Sequence, residues 1–269
     1  MKKITIAFKY ILIASFLFST GCEDIFEYSP YAANVKDSYK DIGIENLEEI
    51  LEQGTEGKEE FKFAVFADSH YSYHELDEAV VNVNSRKDID FVIVNGDIAD
   101  HGYLKEYELF HETMDDLKIP YLTTIGNHDY RSNGEDVYKE MYGNRNYTIK
   151  YNNCLFVLWD DVFWESNKTP DFNWLEENLE EGADYEKKFV VCHIPPFDAQ
   201  FDDESELLYS DLMNRYNVNL SIHGHIHRFH YSEYYNDGVN YMATDAIIDK
   251  EYVIVTVKKD EIVIEAIKY

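Results

Sequence analysis

Five short clusters in the sequence contain the side chains that proteins most often use to hold divalent metal ions. They are Asp68-Ser69-His70, Gly96-Asp97-Ile98-Ala99-Asp100, Gly126-Asn127-His128-Asp129, His193-Ile194-Pro195-Pro196 and His223-Gly224-His225-Ile226-His227. Most are weak signals alone, because Asp-x-His occurs by chance and Gly-Asp is more often a turn than a ligand pair. The last cluster is more specific, since three histidines within five residues are unusual as core filling.

Taken together, the clusters supply carboxylate, imidazole and carboxamide groups. This mixture suits Mn, Fe, Zn or Co, whereas a set made only of oxygen ligands would indicate Mg or Ca. The set is also larger than one ion needs. Two divalent ions about 3.5–4 Å apart that share a carboxylate fit the number of ligands, as in two-metal hydrolases. The sequence therefore predicts a binuclear metal centre whose metal identity stays open.

Each cluster follows a short apolar run that is typical of a buried β-strand. These runs cover residues 61–67, 90–95, 120–125, 188–192 and 218–222. Helices are predicted over residues 74–84, 103–117, 174–181 and 204–216. Strands that alternate with helices form parallel sheets covered on both faces, and ligands bind at the C-terminal edge of such sheets. We therefore predict an α/β fold with the metal site at the C-terminal ends of the strands.

The chain changes its pattern after residue 228. A strand over 154–159 still belongs to the alternating part, whereas four β runs without helices follow at 229–235, 239–243, 252–257 and 262–267. This terminal meander predicts a second sheet, and hence a two-sheet β-sandwich flanked by helices. The domain is expected to cover residues 61–269, after an acidic extension and linker over 23–60. Leu47, Ile50 and Leu51 could line one face of a short docking helix in that extension.

The motif set resembles that of a known enzyme family. Asp68-x-His70, Gly96-Asp97, Gly126-Asn127-His128-Asp129, His193 and Gly224-His225-x-His227 look like the full motif set of the calcineurin-like metallophosphoesterases. The resemblance covers residues 61–228, and every motif of the set is present. The string from Gly96 to Asp100, with Gly102 and then Glu106-Tyr107, looks more like the cyclic-nucleotide phosphodiesterase-like branch than the protein phosphatases.

The resemblance implies a set of ligands for two divalent ions, Mn, Fe or Zn. One ion would be held by Asp68, His70, Asp97 and His227, and the other by Asp97, Asn127, His193 and His225. Asp97 would bridge the two ions. His128 would lie outside the metal shell as the catalytic histidine, which binds the phosphate or protonates the leaving oxygen. Asp100 would pair with His128 and hold its orientation.

The expected reaction is hydrolysis of a phosphomonoester or phosphodiester by a metal-bridging hydroxide, without a covalent enzyme intermediate. Asn127 would bind metal through its carbonyl oxygen and meet the phosphate with its amide. One alternative is a catalytically silent surface lipoprotein that keeps the fold and binds a ligand; it predicts missing ligands, yet all seven are present. A hydrolase of another ester class is a further alternative, although the Asn127-His128 pair suits phosphate.

Charge excludes one class of partner. The formal net charge of −29 would repel nucleic-acid phosphates, and no basic stripe offsets it, so no nucleic-acid partner is expected. The same field opposes the approach of any anionic substrate. Such a substrate therefore needs strong local positive charge, which bound metal ions would supply.

The first 22 residues predict export. Lys2 and Lys3 precede a short apolar stretch, and small residues lead to Cys22, which is the order of a signal peptide rather than a spanning helix. The placement of Cys22 resembles a bacterial lipoprotein cleavage site, where the cysteine becomes lipidated. Ser19 stands where Leu is usual, so a plain secretory cut stays open. We expect a lipid-anchored protein of the bacterial cell envelope.

Several residues near the clusters have ordinary interpretations. Cys154 and Cys192 lie in apolar runs and are expected to be buried free thiols, although a disulfide is not excluded. Asp129 could act in the site or fix its loop by local hydrogen bonds. Arg131 is interpreted as a surface residue of a loop. His223 is interpreted mainly as a strand-end residue.

Overall fold

Two β-sheets pack face to face in a computed structural model of the chain, which describes Ser29, residues 32–53 and residues 57–269. The predicted signal peptide and Cys22 lie outside the described residues. None of the helices in the described part is long and apolar enough to cross a membrane.

The described residues form eleven strands and six α-helices. The strands are β1 (Glu60–Phe66), β2 (Phe91–Asn95), β3 (Tyr121–Thr124), β4 (Tyr147–Tyr151), β5 (Cys154–Leu158), β6 (Lys187–Val191), β7 (Leu220–His223), β8 (His230–Ser232), β9 (Asn240–Ala243), β10 (Glu251–Lys258) and β11 (Ile262–Lys268). The helices are α1 (Ile42–Glu52), α2 (Tyr73–Ser85), α3 (Leu104–Met114), α4 (Gly134–Tyr142), α5 (Phe172–Glu181) and α6 (Asp203–Arg215).

Both sheets are mixed. The first has the order β11-β10-β1-β2-β3, with β1, β2 and β3 parallel and β10 antiparallel to β1. The second has the order β4-β5-β6-β7-β9-β8, with β5, β6, β7 and β9 parallel. This arrangement confirms the predicted α/β sandwich flanked by helices. It also directs the C-terminal ends of the parallel strands in each sheet toward the ligand clusters.

The terminal strands do not form a sheet of their own, so that part of the prediction is wrong. Strands β8 and β9 extend the second sheet beside β7, whereas β10 and β11 return to the first sheet beside β1. The second sheet is instead built on β4 to β7. Hairpin-like spacing shows that strands pair, but it does not show which existing edge receives them.

Aromatic rings fill the space between the sheets. Phe63 of β1 stacks on its register partner Phe91 of β2, with ring centroids 5.4 Å apart. Phe156 and Phe189 of the second sheet meet Phe63 edge to face at 5.3 Å and 5.7 Å. Alternate β1 residues such as Phe66 pack on the helical side instead. Because both faces are covered, β1 reads as a continuous apolar run.

Helix α1 covers the free edge of β3. The side chain of Asn46 accepts a hydrogen bond of 2.8 Å from the backbone N–H of Tyr121, which satisfies an edge donor. Ile50 is buried and Leu47 is partly buried, as predicted, but Leu51 is 52% exposed. Leu51 follows Ile50 by about 100° around the helix, which turns it away from the sheet.

The two described cysteines are free and buried. Cys154 packs in the core between the sheets, whereas Cys192 belongs to the core beneath the helices. They lie in different layers, which confirms the expectation of free thiols. Burial raises the pKa of the Cys154 thiol to about 12, so this cysteine is a poor nucleophile.

Replacing Phe63 with Ala should lower the free energy of unfolding by about 3–5 kcal/mol, because the cavity would open among packed rings. Urea unfolding followed by circular dichroism measures the change. Leu51→Ala is the matched control and should stay within about 0.5 kcal/mol of the parent. Equal effects of the two substitutions would contradict the assignment of Phe63 to the central core.

Candidate metal centre

The seven predicted ligands meet at one edge of the sandwich. Three strands of the first sheet and two of the second end there. The residues that follow these ends are Asp68 and His70 after β1, Asp97 after β2, Asn127 after β3, His193 after β6, and His225 and His227 after β7. The centre therefore draws its ligands from both sheets.

Asp97 lies in the middle of the group and is buried. Its Oδ2 is 3.3 Å from Nε2 of His193 and 3.7 Å from Nδ1 of His70. Its Oδ1 accepts a hydrogen bond of 2.8 Å from the backbone N–H of His128. Burial would raise the pKa of Asp97, but the imidazoles of His193, His128 and His70 hold it below its usual range. The carboxylate is thus ionised and central.

Asp68 joins the two sheets from the other side of the centre. Its Oδ1 is 3.1 Å from Nε2 of His227 and 3.8 Å from Nε2 of His193. Its Oδ2 accepts a 2.9 Å hydrogen bond from the backbone N–H of His225. Asn127 completes the group, with Oδ1 3.0 Å from Nδ1 of His225.

Two buried imidazole nitrogens show that the group fits metal ions. Nδ1 of His70 and Nε2 of His193 have no hydrogen-bond partner, and both lie within 4 Å of Asp97 Oδ2. Leaving buried polar atoms unpaired costs free energy, which a cation at this place would recover. Burial would lower the pKa of His193, but Asp97 and Asp68 raise it to about 10, so protons and metal compete for this nitrogen.

Ligand-type atoms fall in two sets that share Asp97. His70, Asp97 and His128 form one set, and Asp97, His193 and His225 form the other, each with atoms within 4.8 Å of one another. The ring of His128 stacks on that of His70, with centroids 4.3 Å apart and planes 10° apart. Two sets with a shared carboxylate suit two ions, and the role of His128 as a non-ligand stays a prediction.

The backbone at four of the candidate ligands is left-handed, with φ of 52° at Asp68, 53° at Asp97, 67° at His225 and 46° at His227. Such conformations cost free energy in residues other than glycine, and they concentrate at functional sites. Gly126 permits the tight approach of the Asp97 loop, because a Cβ there would lie 2.2 Å from the Asp97 backbone nitrogen.

Asp129 holds two ligand loops together. Its buried carboxylate accepts hydrogen bonds from the backbone N–H groups of Ile98, Ala99 and Gly126, at 3.2, 2.8 and 2.8 Å. Tyr107 donates to the same carboxylate at 3.1 Å. Burial and the nearby Asp97 raise the pKa of Asp129 to about 7. Of the two roles considered for Asp129, the structure supports fixing the loops by local hydrogen bonds.

Asn95, which ends β2, is a key residue that the sequence analysis missed. Its buried Nδ2 donates to the backbone carbonyls of Cys192 and Ile222 in the second sheet, at 3.1 and 3.2 Å. Its Oδ1 accepts from the Thr124 hydroxyl at 2.6 Å. Its backbone oxygen is 2.8 Å from Nδ1 of His193, which leaves Nε2 to face Asp97. The only signal was a polar residue at the end of an apolar run.

The predicted pairing of the Asp100 carboxylate with His128 is wrong. Nδ1 of His128 instead lies 2.9 Å from the backbone oxygen of Asp100. The Asp100 carboxylate accepts from the Tyr73 hydroxyl at 3.3 Å, because the loop turns the side chain toward that tyrosine. Burial and nearby Glu106 raise the pKa of Asp100. Asp100 still positions His128, but through its main chain.

Arg131 also contacts His128, contrary to its interpretation as a surface residue. Its guanidinium lies 3.0 Å from Nδ1 of His128 and donates to the Asp100 backbone oxygen at 3.3 Å. His223, in contrast, points away from the centre as expected, with Nε2 2.8 Å from the Ser221 hydroxyl. Burial lowers the pKa of His223 to about 3, so it is neutral.

Three further residues surround the second set of ligands and were also missed. The Asp161 carboxylate accepts from the backbone N–H groups of His193 and Ile194, at 3.2 and 2.9 Å. Glu165 Oε1 accepts from Nδ2 of Asn127 at 3.1 Å, and Gln200 lies 3.4 Å from Nε2 of His225. They fall between the motifs, where no local pattern marks them.

Comparison with known proteins identifies related sequences. Residues 61–229 match the family model described as calcineurin-like phosphoesterase. A protein of Arcobacter nitrofigilis named "Probable glycerophosphodiester phosphodiesterase GpdQ" is 29% identical over 176 residues, which is 57% of this chain and 62% of that protein. A Xenorhabdus bovienii protein named "Probable cyclic nucleotide phosphodiesterase XBJ1_0953" is 38% identical over 58 residues, 22% of this chain and 24% of that protein. The chain thus matches less than two thirds of either relative.

Similarity to solved structures supports the fold. The purple acid phosphatase PPD1 from yellow lupin (Lupinus luteus) seeds superposes with a TM-score of 0.61 at 14% identity, covering 79% of this chain and 52% of that one. The two proteins share a fold at this level of identity.

Metal analysis after loading with Mn²⁺ should find two ions per chain, because the two ligand sets share Asp97. His193→Ala should lose at least one ion, since it removes an unpaired nitrogen at the centre. His74→Ala, an exposed histidine on α2, is the control and should keep both. Inductively coupled plasma mass spectrometry gives the counts, and full occupancy in His193→Ala would contradict the assignment.

Proposed function

Because this chain belongs to the calcineurin-like phosphoesterase family, we propose that it hydrolyses phosphate esters with two divalent metal ions, and that phosphodiesters are its preferred substrates. The observation that carries the proposal is the convergence of two unpaired, buried imidazole nitrogens on the Asp97 carboxylate. Structural sites rarely leave such groups unpaired, whereas metal sites require them.

Each ion would be held by residues of both sheets. Asp68, His70, Asp97 and His227 would hold one, and Asp97, Asn127, His193 and His225 the other. The mixture of oxygen and nitrogen donors suits Mn, Fe or Zn. When bound, such ions lower the pKa of water and neutralise negative charge on a phosphate.

His128 would supply the proton that the departing alcohol needs. Its backbone N–H is fixed by Asp97, and its Nδ1 is held by the Asp100 carbonyl. With Nδ1 held by this carbonyl, Nε2 can donate to the leaving oxygen only when both ring nitrogens carry protons, so His128 would act as an imidazolium. Arg131, packed against the same ring, would add positive charge beside the phosphate.

The electrostatic surroundings favour a diester over a monoester. Glu165 accepts from Asn127, and Asp198 lies 3.7 Å from Nε2 of His225, so acidic groups border the centre. The whole chain carries a formal charge of −29. A dianionic monoester meets more repulsion there than a monoanionic diester does. The names of both curated relatives, each a phosphodiesterase, support the same preference.

The place of this reaction would be the bacterial cell envelope. The N-terminal pattern of charged residues, apolar stretch and Cys22 supports export with a lipid anchor at that cysteine. The substrates would then be phosphate esters outside the cytoplasm.

With two ions loaded, the protein should hydrolyse bis(p-nitrophenyl) phosphate with a kcat/KM roughly tenfold above that for p-nitrophenyl phosphate, because the diester carries less charge. Release of p-nitrophenolate measures both rates. A faster monoester would sink the diester preference. No turnover of either ester by protein that holds two ions would favour the silent binding protein instead.

With an alkyl phosphodiester, whose leaving alcohol needs a proton, His128→Ala should lower kcat by about 10²–10⁴-fold while both ions stay bound, because a general acid is lost and no ligand is. Metal analysis and steady-state rates on the same preparation test both parts. His74→Ala serves again as the matched histidine control. Loss of metal from His128→Ala would show instead that the ring is a ligand, as its place in the first ligand set allows.

A further inference from the structure

A small aromatic pocket lies beside the candidate metal centre. It has a volume of about 80 Å³. Its wall includes Phe163, Trp164, Phe172, Phe201, Gln200 and Asp161. This volume is smaller than the roughly 300–1,000 Å³ of a pocket for a whole small molecule, so it has room for one group of a larger ligand.

Two residues of the pocket wall contact candidate metal ligands, and a third residue, next to the wall in the chain, contacts another. Asp161 accepts the backbone N–H of His193, and Gln200 lies 3.4 Å from the His225 ring nitrogen. Glu165, which follows Trp164 in the chain, accepts from the Asn127 amide. A group in the pocket would therefore lie next to a phosphate held at the centre.

The chemistry of the wall is aromatic and acidic. Trp164 is 55% exposed and Phe163 is 40% exposed, although both are large apolar side chains. Aromatic faces attract cations, most strongly the face of tryptophan. Asp161 and Asp202 also line the pocket, whereas none of its described lining residues is Lys, Arg or His. The pocket therefore suits a positively charged occupant.

Unpaired oxygen atoms point to the same conclusion. Gln200 is only 8% exposed, and its Oε1 has no hydrogen-bond partner. Glu165 uses one oxygen on Asn127, and its Oε2 is buried without a partner. Buried acceptors of this kind need a donor or a cation. Of the two residues, Gln200 lines the pocket, so a positively charged group there would lie beside its unpaired oxygen.

We propose that this pocket binds the alcohol part of a phosphodiester, and that this alcohol carries an ammonium group, as choline and ethanolamine do. The inference rests on the proposed phosphodiesterase activity. A phosphodiester with an ammonium group has no net charge, so the field of a chain with a charge of −29 does not repel it. Its phosphate would lie at the metal centre and its cation against Trp164.

The reaction balances with water alone. A water oxygen bonds to phosphorus, and the bond from phosphorus to the other alcohol breaks. The leaving alcohol takes a proton from His128, the attacking water gives up a proton that restores His128, and the amino alcohol stays esterified to the product phosphate. The pocket thus determines which side of the diester is kept, while the metal centre acts on the bond opposite it.

A matched pair of esters tests the cation directly. One is p-nitrophenyl phosphorylcholine, and the other is p-nitrophenyl 3,3-dimethylbutyl phosphate, in which carbon replaces the charged nitrogen. The leaving group and shape are the same in both. The choline ester should have a kcat/KM roughly tenfold higher, mainly through a lower KM. Equal values would overturn the proposal.

Substitutions locate the preference. Trp164→Ala should bring the ratio of the two kcat/KM values close to one, since it removes the aromatic face of the pocket wall. Tyr231→Ala, a substitution of an exposed aromatic residue outside the pocket wall, should keep the ratio of the parent. A ratio that persists in Trp164→Ala would overturn the assignment to this pocket.

Binding provides a readout that does not need turnover. Isothermal titration calorimetry of the metal-loaded protein should find phosphorylcholine bound more tightly than 3,3-dimethylbutyl phosphate, and Trp164→Ala should abolish the difference. Equal affinities would overturn the proposal. Hydrolysis of bis(p-nitrophenyl) phosphate without any choline preference would leave the proposed function standing and the pocket assignment refuted. Absence of all hydrolysis would refute the proposed function itself.

Discussion

The hydrogen bonds of the buried Asn95 carboxamide are the interactions on which the candidate metal centre depends. The Asn95 side chain, at the end of β2, donates to the backbone carbonyls of Cys192, directly after β6, and of Ile222 in β7, at 3.1 and 3.2 Å. Apolar packing alone would let the sheets slide by small amounts, because it has no direction. Directional hydrogen bonds in a buried place fix the offset, since breaking them leaves polar groups unpaired. Candidate ligands that follow strands of both sheets can therefore lie in contact with one another.

The centre combines features that are unfavourable in isolation. Its ligands occupy left-handed backbone, and carboxylates and imidazoles are buried together with nitrogens unpaired. The surrounding hydrogen bonds of Asp129 and Asp161 hold these groups in place without relieving them. Left-handed backbone at these residues persists only where other contacts determine its conformation. Divalent cations would pair the buried imidazole nitrogens. This is why the geometry supports a metal-dependent reaction better than a structural role.

Local sequence patterns predicted the features that depend on residues close together in the chain. Apolar runs placed most strands within a few residues, and the clusters after them contain the seven candidate ligands, with Asp97 in the middle of the group. Helix α4 and strand β4 were missed because each is short, at nine and five residues. The contacts of Asn95 and Glu165 join residues far apart in the chain, so no spacing announces them. Which atom of Asp100 meets His128 depends on a loop conformation that sequence does not encode locally.

The distance along the chain between ligands has a kinetic consequence. Asp68 and His227 touch across 159 positions, and strands β2 to β7 lie between them. Closing so long a loop costs entropy that only the packing of both sheets repays, so contacts of this kind form late in folding. We therefore expect the centre to be completed after the sandwich, so that a partly folded chain offers metal ions only fragments of the site. Metal uptake then reports that the chain has reached its native topology.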